Sequence, residues 1–267
     1  MGKALARSGV VKFIAMVLFG VLACSTCYAG LRILGEDSPP GEYLDQKGNP
    51  AGVTIELVKI LLKRQDKVAA IEILPWSRAY YLGLHARNIA LLETTRTAER
   101  EALFKWVGPI LVVKRILYAT AEFDRQVADV SDIRRKDSVC VLRGSSNESY
   151  LRKLDMAHIY PVTKPFQCIE MLFAGHADLF YTSEIGMNGL LKERTIDPGR
   201  FKPVLNLTKE YLYIAFSKDV DDNRIRQWQA ALEEVKRDGT LAGIYAGVYP
   251  DSMIREVCLP GDPLSRR

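Results

Sequence analysis

Histidine is scarce in this sequence. Three residues, His85, His158 and His176, stand far apart along 267 positions. Such spacing supplies no paired imidazoles for a zinc site and no short-range acid–base pair. The phosphate-cradling Gly-x-x-x-x-Gly-Lys, the dinucleotide pattern Gly-x-Gly-x-x-Gly, the nucleophile elbow Gly-x-Ser-x-Gly and the metalloprotease His-Glu-x-x-His are all missing. Their absence excludes the chemistries those loops carry and turns the reading from catalysis toward binding. No cofactor, metal ligand or catalytic residue is expected. No low-complexity tract occurs, and 48% hydrophobic with 26% charged residues is the composition of a globular chain.

Cysteine is sparse and unevenly placed. Cys24 and Cys27 fall near the N-terminus, which leaves Cys140, Cys168 and Cys258. An odd number permits one disulfide and one thiol in an oxidising compartment. Three small buried thiols fit the sequence equally well.

The first 29 residues read as a leader. Lys3, Arg7 and Lys12 form a positive start, and Phe13–Ala23 is an uncharged, mostly apolar run of 11 residues. A bilayer-spanning helix needs about 20. Cys27 and Ala29 set small residues at the −3 and −1 positions of a cleavage site, so export with cleavage after Ala29 is expected, into the periplasm. The alternative is a lipid anchor on Cys24, within Val21-Leu22-Ala23-Cys24. A strand beginning at Leu31 leaves little tether for that arrangement. Without the leader the net charge falls from +5 to +2, with 34 Lys and Arg against 32 Asp and Glu. Nothing then calls for a nucleic-acid partner. Arg134-Arg135-Lys136, the densest basic spot, reads as a solvated turn.

After the leader, short apolar runs alternate with helical patterns. Strands are expected at 31–34, 71–74 and 89–92, with helices at 53–64, 79–84 and 97–104. Thr97 is the expected N-cap of the last, with Arg100 early in that helix. The pattern then starts afresh: strands at 139–142, 159–162, 179–181 and 204–207, helices at 148–154, 166–174 and 185–193. Extended segments at 112–120 and 211–217 join the halves. A long helix over 222–237, stopped by Asp238-Gly239, and a short one at 240–246 follow. Alternating strand–helix units predict two α/β lobes with substantially parallel sheets. Ligands of such sheets sit beyond the C-terminal strand ends. The candidate loops are therefore Gly35–Tyr43, Pro75–Arg78, Glu93–Arg100, Arg143–Asn147 and Thr182–Glu184.

At these loops the chain resembles the family 3 extracellular solute-binding proteins, the periplasmic amino-acid-binding type. The likeness runs through Glu36-Asp37-Ser38-Pro39-Pro40-Gly41-Glu42-Tyr43, Lys47–Gly52 and Leu74-Pro75-Trp76-Ser77-Arg78-Ala79. Its most specific stretch is Thr95-Arg96-Thr97-Ala98-Glu99-Arg100-Glu101, then Phe104-Lys105-Trp106-Val107-Gly108-Pro109. It resumes at Val141-Leu142-Arg143-Gly144-Ser145, Ala174-Gly175-His176-Ala177-Asp178 and Lys236–Thr240. Each piece alone is weak, and their order and spacing carry the signal. The resemblance implies an α/β fold of the two-lobed periplasmic-binding-protein type (Venus flytrap, type II) with two hinge strands. Residues 30–113 with 211–267 form lobe 1 and 114–210 an inserted lobe 2. It further implies a monomer that binds a small-molecule ligand, an amino acid or other small carboxylate, between the lobes. The closed form docks on an inner-membrane transporter permease.

Arg100 matches the family arginine that clamps a ligand carboxylate, a task suited to a planar guanidinium fork. The bland reading pairs it with Glu99 or Glu101 on the surface. Thr95 matches a neighbouring ligand-facing hydroxyl, and Arg96 is assigned to the cleft rim. Trp76 matches an aromatic wall beside the ligand, or is a core tryptophan. Tyr43 and Glu36 belong to the first loop. Ser145 and Ser146 match donors to the carboxylate, with Arg143 just before them. One departure stands out. Amino-acid binders of this family usually hold the α-ammonium with an acidic residue just after the fourth strand of the second lobe, and that position here is Ser183. Either Glu184 substitutes, or Glu36 receives the ammonium, or the solute has none, since an unpaired buried charge is costly. Asn88 and Glu93 also depart from the pattern.

An enzyme on the same scaffold is the competing expectation. Periplasmic cyclohexadienyl dehydratases resemble this family, and Glu36, Glu93 and Glu184 would be the acid–base candidates. A ligand-sensing module is the third. A chain ending at Arg267 with no membrane segment after the lobes argues against a built-in receptor.

Overall fold

The structure, a computed structural model, describes residues 30–259. The leader readings, including cleavage after Ala29 and the anchor on Cys24, lie outside the described residues.

Among the described residues, ten strands and nine α-helices follow one another in this order. β1 (Arg32–Gly35) leads through a small hairpin, β2 (Tyr43–Leu44) and β3 (Pro50–Ala51), into α1 (Val53–Arg64). β4 (Ala70–Ile73), α2 (Trp76–His85), β5 (Ile89–Thr95) and the single turn α3 (Ala98–Glu101) complete the first half. β6 (Phe104–Thr120) crosses to the second half: β7 (Ser138–Leu142), α4 (Ser146–Lys153), β8 (His158–Val162), α5 (Phe166–Phe173), β9 (Leu179–Ser183) and α6 (Glu184–Glu193). β10 (Phe201–Ser217) returns, and α7 (Asp222–Arg237), α8 (Thr240–Tyr245) and α9 (Asp251–Val257) close the described chain.

The large strands form one mixed sheet in the order β4-β1-β5-β10-β6-β9-β7-β8. Each outer trio is parallel within itself, and the antiparallel pair β6–β10 lies between them. These two 17-residue strands connect the halves, and their ladder slips at three places.

Alternating strand residues fill opposite faces, as a period of two requires. In the first half Ile33, Ala90 and Leu92 pack beneath α1, α7 and α8, while Leu34, Ile89 and Leu91 pack on the α2 side. In the second, Cys140, Phe180, Ile116 and Tyr118 face α5 and α6, while Val139, Leu179, Leu117 and Ala119 face the α4 side. Both faces are covered, which is why these strands read as continuous apolar runs. The four clusters thus form two pairs. Among the described residues, the half-buried Ile185 of α6 is the one hydrophobic side chain that reaches from the second half to the first half's core.

α1 and α7 match their expected limits. The helix expected over 97–104 does not: it ends at Glu101, and Phe104 begins β6 eight residues before the extended segment predicted at Val112. Gly108-Pro109 reads as a strand breaker, yet the Gln229 side chain takes over the missing ladder bonds. Its Oε1 accepts from the Gly108 N–H (3.0 Å) and its Nε2 donates to the Gly108 carbonyl (3.3 Å). α9 and the β2–β3 hairpin are further additions.

Cys140 and Cys168 form a disulfide that ties β7 to α5, and Cys258 is a thiol. One disulfide and one thiol is thus the arrangement found, and the reading of three buried thiols fails. Among the described residues no helix is long and apolar enough to cross a membrane, and no cluster of His, Cys, Asp and Glu is arranged to hold a metal ion.

Candidate functional site

A cavity of about 80 Å³ opens between the two halves of the sheet, at the C-terminal ends of β1, β5, β7 and β9. At roughly 10–15 Å³ per water, it has room for a compact solute of several heavy atoms. Of the sequence candidates, Glu36, Trp76, Thr95, Arg100, Ser145 and Ser146 line it. Tyr43, Arg143, Ser183 and Glu184 do not.

Arg100 is the most informative of these. It is 6% exposed. Its guanidinium lies over Trp76 and Tyr80, 5.3 and 4.8 Å from the ring centroids, and the two rings stack on one another. Its guanidinium donates to main-chain oxygens, Thr95 at 3.4 Å and Gly144 at 3.5 Å, and the Tyr80 hydroxyl is a further neutral partner. Both neighbouring acids are engaged elsewhere: Glu101 pairs with Arg96 at 2.7 Å and Glu99 with Lys153. No carboxylate among the described residues lies within ion-pair distance of Arg100. Burial pulls the guanidinium below its ordinary pKa, though its high starting value keeps it cationic. The surface-pair reading therefore fails.

Arg115, on β6, also lines the cavity and was not anticipated. Its neighbourhood is neutralised. Nε donates to Glu210 of β10 at 2.9 Å, and the Thr95 hydroxyl bridges the pair, donating to Glu210 (3.2 Å) and accepting from Arg115 (3.4 Å). Thr95 is thus a brace between β5 and the hinge pair. Strand alternation gave no warning of Arg115, because β6 is buried almost throughout.

Trp76 begins α2, and its indole N–H donates to the Gly144 carbonyl across the cleft at 2.9 Å. Gly144 adopts a φ of 70°, a left-handed conformation that suits glycine. Ser145 caps α4: its Oγ accepts from the Glu148 N–H (3.2 Å) and donates to the Leu142 carbonyl (2.6 Å). Ser146 and Asn147 form the first turn of α4, where a helix leaves N–H groups without internal partners. Asn147, 7% exposed and lining the cavity, has a fully buried Oδ1 without a hydrogen-bond partner.

The other wall is acidic. Glu36 follows β1. Glu93 turns inward from β5 at a φ of 39°, a conformation rare outside glycine and typical of constrained sites. Its Oε1 accepts from the Thr54 hydroxyl at 2.5 Å. Behind them Glu42, 1% exposed, accepts the Glu36 N–H at 3.0 Å, and its second oxygen is buried without a partner. Loss of solvation, with the Glu93 charge second, pushes Glu36 up to about 7. Loss of solvation, against the Thr54 hydroxyl, also pushes Glu93 up to about 7. Glu42 is raised well above the ordinary carboxylate value, by burial first and by Glu93 second.

The remaining candidates have local tasks. The Ser183 Oγ accepts from the Gly186 N–H at 2.9 Å and caps α6. Glu184 sits in the first turn of α6, outside the cavity lining. Arg143 is exposed and donates to the Pro161 carbonyl at 3.1 Å. Tyr43 belongs to the β2–β3 hairpin.

The model of bacterial extracellular solute-binding proteins, family 3, matches residues 31–249. The chain belongs to this family. Over 254 residues it is 21% identical to the amino-acid-binding protein AabA of Dichelobacter nodosus, spanning 90% of this chain and 98% of that one. Among solved structures, a histidine kinase sensor domain similar to periplasmic binding proteins superposes with a TM-score of 0.76 at 19% identity, covering 82% of this chain and 95% of the other. An ancestral arginine-binding protein bound to arginine gives 0.74 at 20% identity, covering 83% and 99%. The fold of this family 3 member is accordingly the two-lobed α/β fold of periplasmic binding proteins.

Proposed function

We propose that this family 3 protein is an exported receptor for a small carboxylate-bearing solute, an amino acid or a close relative. The solute sits in the cavity between lobe 1 (residues 30–113 with 211–267) and lobe 2 (114–210). The observation that carries this reading is Arg100: a buried guanidinium, supported by two aromatic faces, that faces the cavity without a carboxylate of its own. A solute carboxylate completes its fork, and the first-turn amides of Ser146 and Asn147 meet the same anion from the other side. Contact with both lobes at once favours the closed form. That form is what an inner-membrane permease reads. The names of the relatives, amino-acid-binding and arginine-bound, support the solute class.

Thermal unfolding of the protein without its leader, screened against amino acids, amines and small carboxylates, tests this. A solute at about 100 times its Kd adds about 2.7 kcal/mol. Arg100→Ala should erase the shift produced by the best ligand, and an undiminished shift removes the site. A second reading has its own observation. Glu36 and Glu93, both near 7, have the poise of a general acid or base. Turnover of prephenate or arogenate would support a lyase on this scaffold; stoichiometric binding without turnover decides for the receptor.

A further inference from the structure

The polar lining of the cavity is divided in charge. Five ionisable side chains other than tyrosine line it: Arg100, Arg115, Glu36, Asp37 and Glu93. Arg115 is matched by Glu210, and Arg100 is the match for a solute anion. No cation is left for the acidic wall. The Glu36 carboxylate has no hydrogen-bond donor among the described residues, and Glu93 has one, the neutral Thr54 hydroxyl. Glu42 adds a third carboxyl behind them.

The backbone makes room for this crowd. A Cβ at Gly41 would stand 2.0 Å from Oε1 of Glu93, and one at Gly35 would stand 2.6 Å from Oε2 of Glu42. The other groups turned toward the trio are the phenols of Tyr245 and Tyr249 and the charges of Asp37, Arg100 and Arg115. Tyr245 donates to the Ile110 carbonyl at 2.9 Å, which removes its proton from use here. Across the cavity, no lobe 2 acid reaches the lining: Ser183 is spent capping α6, and Glu184 lies outside. What the second half offers is an acceptor, the buried and unpartnered Oδ1 of Asn147.

Resting on the solute-receptor reading above, we infer that the solute carries a cationic nitrogen as well as a carboxylate, and that Glu36 and Glu93 of the first lobe receive it together with the Asn147 side-chain oxygen. The acid pole thus stands on the opposite wall from the one the family pattern uses. The nitrogen supplies the positive charge the trio lacks and the N–H donors that Asn147 and Glu36 lack. Its arrival favours the ionised form of carboxyls that otherwise hold protons near neutrality, so binding releases protons.

Calorimetric titration of the twenty amino acids and the matching 2-hydroxy acids into the wild type, Glu36→Gln and Glu93→Gln tests the inference. The expected result is that an amino acid binds at least tenfold more tightly than its 2-hydroxy counterpart. Each variant should weaken the amino acid at least tenfold and leave the hydroxy acid within about threefold. The apparent heat at pH 7 should differ between buffers of high and low ionisation enthalpy. Equal or tighter binding of the hydroxy acid, or a double variant with undiminished amino-acid affinity, overturns the inference while sparing the receptor reading. If neither series binds, the receptor reading itself fails. Both variants remove charge from a crowded site, so their unliganded unfolding temperatures at pH 8 should match or exceed the wild type; this separates a lost contact from a lost fold.

Discussion

Glu93 sits at a left-handed kink within β5, where the ladder to β10 slips, and its side chain ends against one hydroxyl, with Glu36 and Glu42 close by. A carboxyl held above its ordinary pKa binds its proton in the folded state after the unfolded chain has released it. Stability then falls as pH rises from about 4.5, the unfolded value, through about 7, the folded value of Glu36 and Glu93. The penalty is absent below that window and complete above it. The unfolding temperature of the protein alone should therefore drop between pH 5 and pH 8, and Glu93→Gln should flatten the decline. An unchanged slope in the variant would locate the proton uptake elsewhere. Sequence reading found Glu36 in its loop and noticed Glu93 as a departure. It missed Glu42 and Arg115, because nothing in a single chain tells a buried acid in a polar turn from a solvated one, or marks which face of a fully buried strand meets a cavity.

At the level of elements, helices were legible where apolar periodicity ran over several turns, as in α1 and α7. The hinge strands were legible only in part. β6 passes through Gly108-Pro109 with Gln229 supplying the ladder, a substitution made by a residue 121 positions away. α6 carries another device invisible to periodicity. Gly189 lies where a Cβ would come within 2.0 Å of the Pro39 carbonyl, so glycine lets the first-lobe loop rest on this second-lobe helix. Alanine in a helix interior ordinarily gains about 1 kcal/mol over glycine. Gly189→Ala should then leave unfolding of the protein alone unchanged or slightly improved, while holding the lobes apart and lowering solute affinity at least tenfold. Scattering should report a larger radius of gyration in saturating solute than the wild type gives. Undiminished affinity would show that this contact has no part in closure.

Across the whole molecule, the contacts that bridge the cleft are of two kinds. Trp76 and Arg100 converge on the Gly144 carbonyl, inside and shielded. Glu99 and Lys153 pair at the rim, each more than half exposed, where such a pair contributes about 0–1 kcal/mol and is screened by salt. The proposed closure would therefore rest on the interior contacts and the solute. The two-lobe architecture was legible because strand–helix alternation restarts after a long extended segment. How near the lobes approach was not, because single glycines and one carbonyl set it.

The Cys140–Cys168 bond lies wholly within the second lobe, 28 residues apart, while the first lobe holds only the half-buried thiol of Cys258. Closing a loop of that length restricts the unfolded chain by about 3–4 kcal/mol. A reductant should accordingly loosen one lobe and spare the other, visible as a lowered unfolding transition in dithiothreitol that Cys258→Ser does not reproduce. β7, which carries Cys140, runs directly into the Ser145–Asn147 turn that walls the cavity. On the export proposed above, maturation is thus a matter of compartment: in thiol-rich surroundings the turn hangs from a slack lobe, and oxidation of the Cys140–Cys168 pair fixes half of the proposed binding site in place.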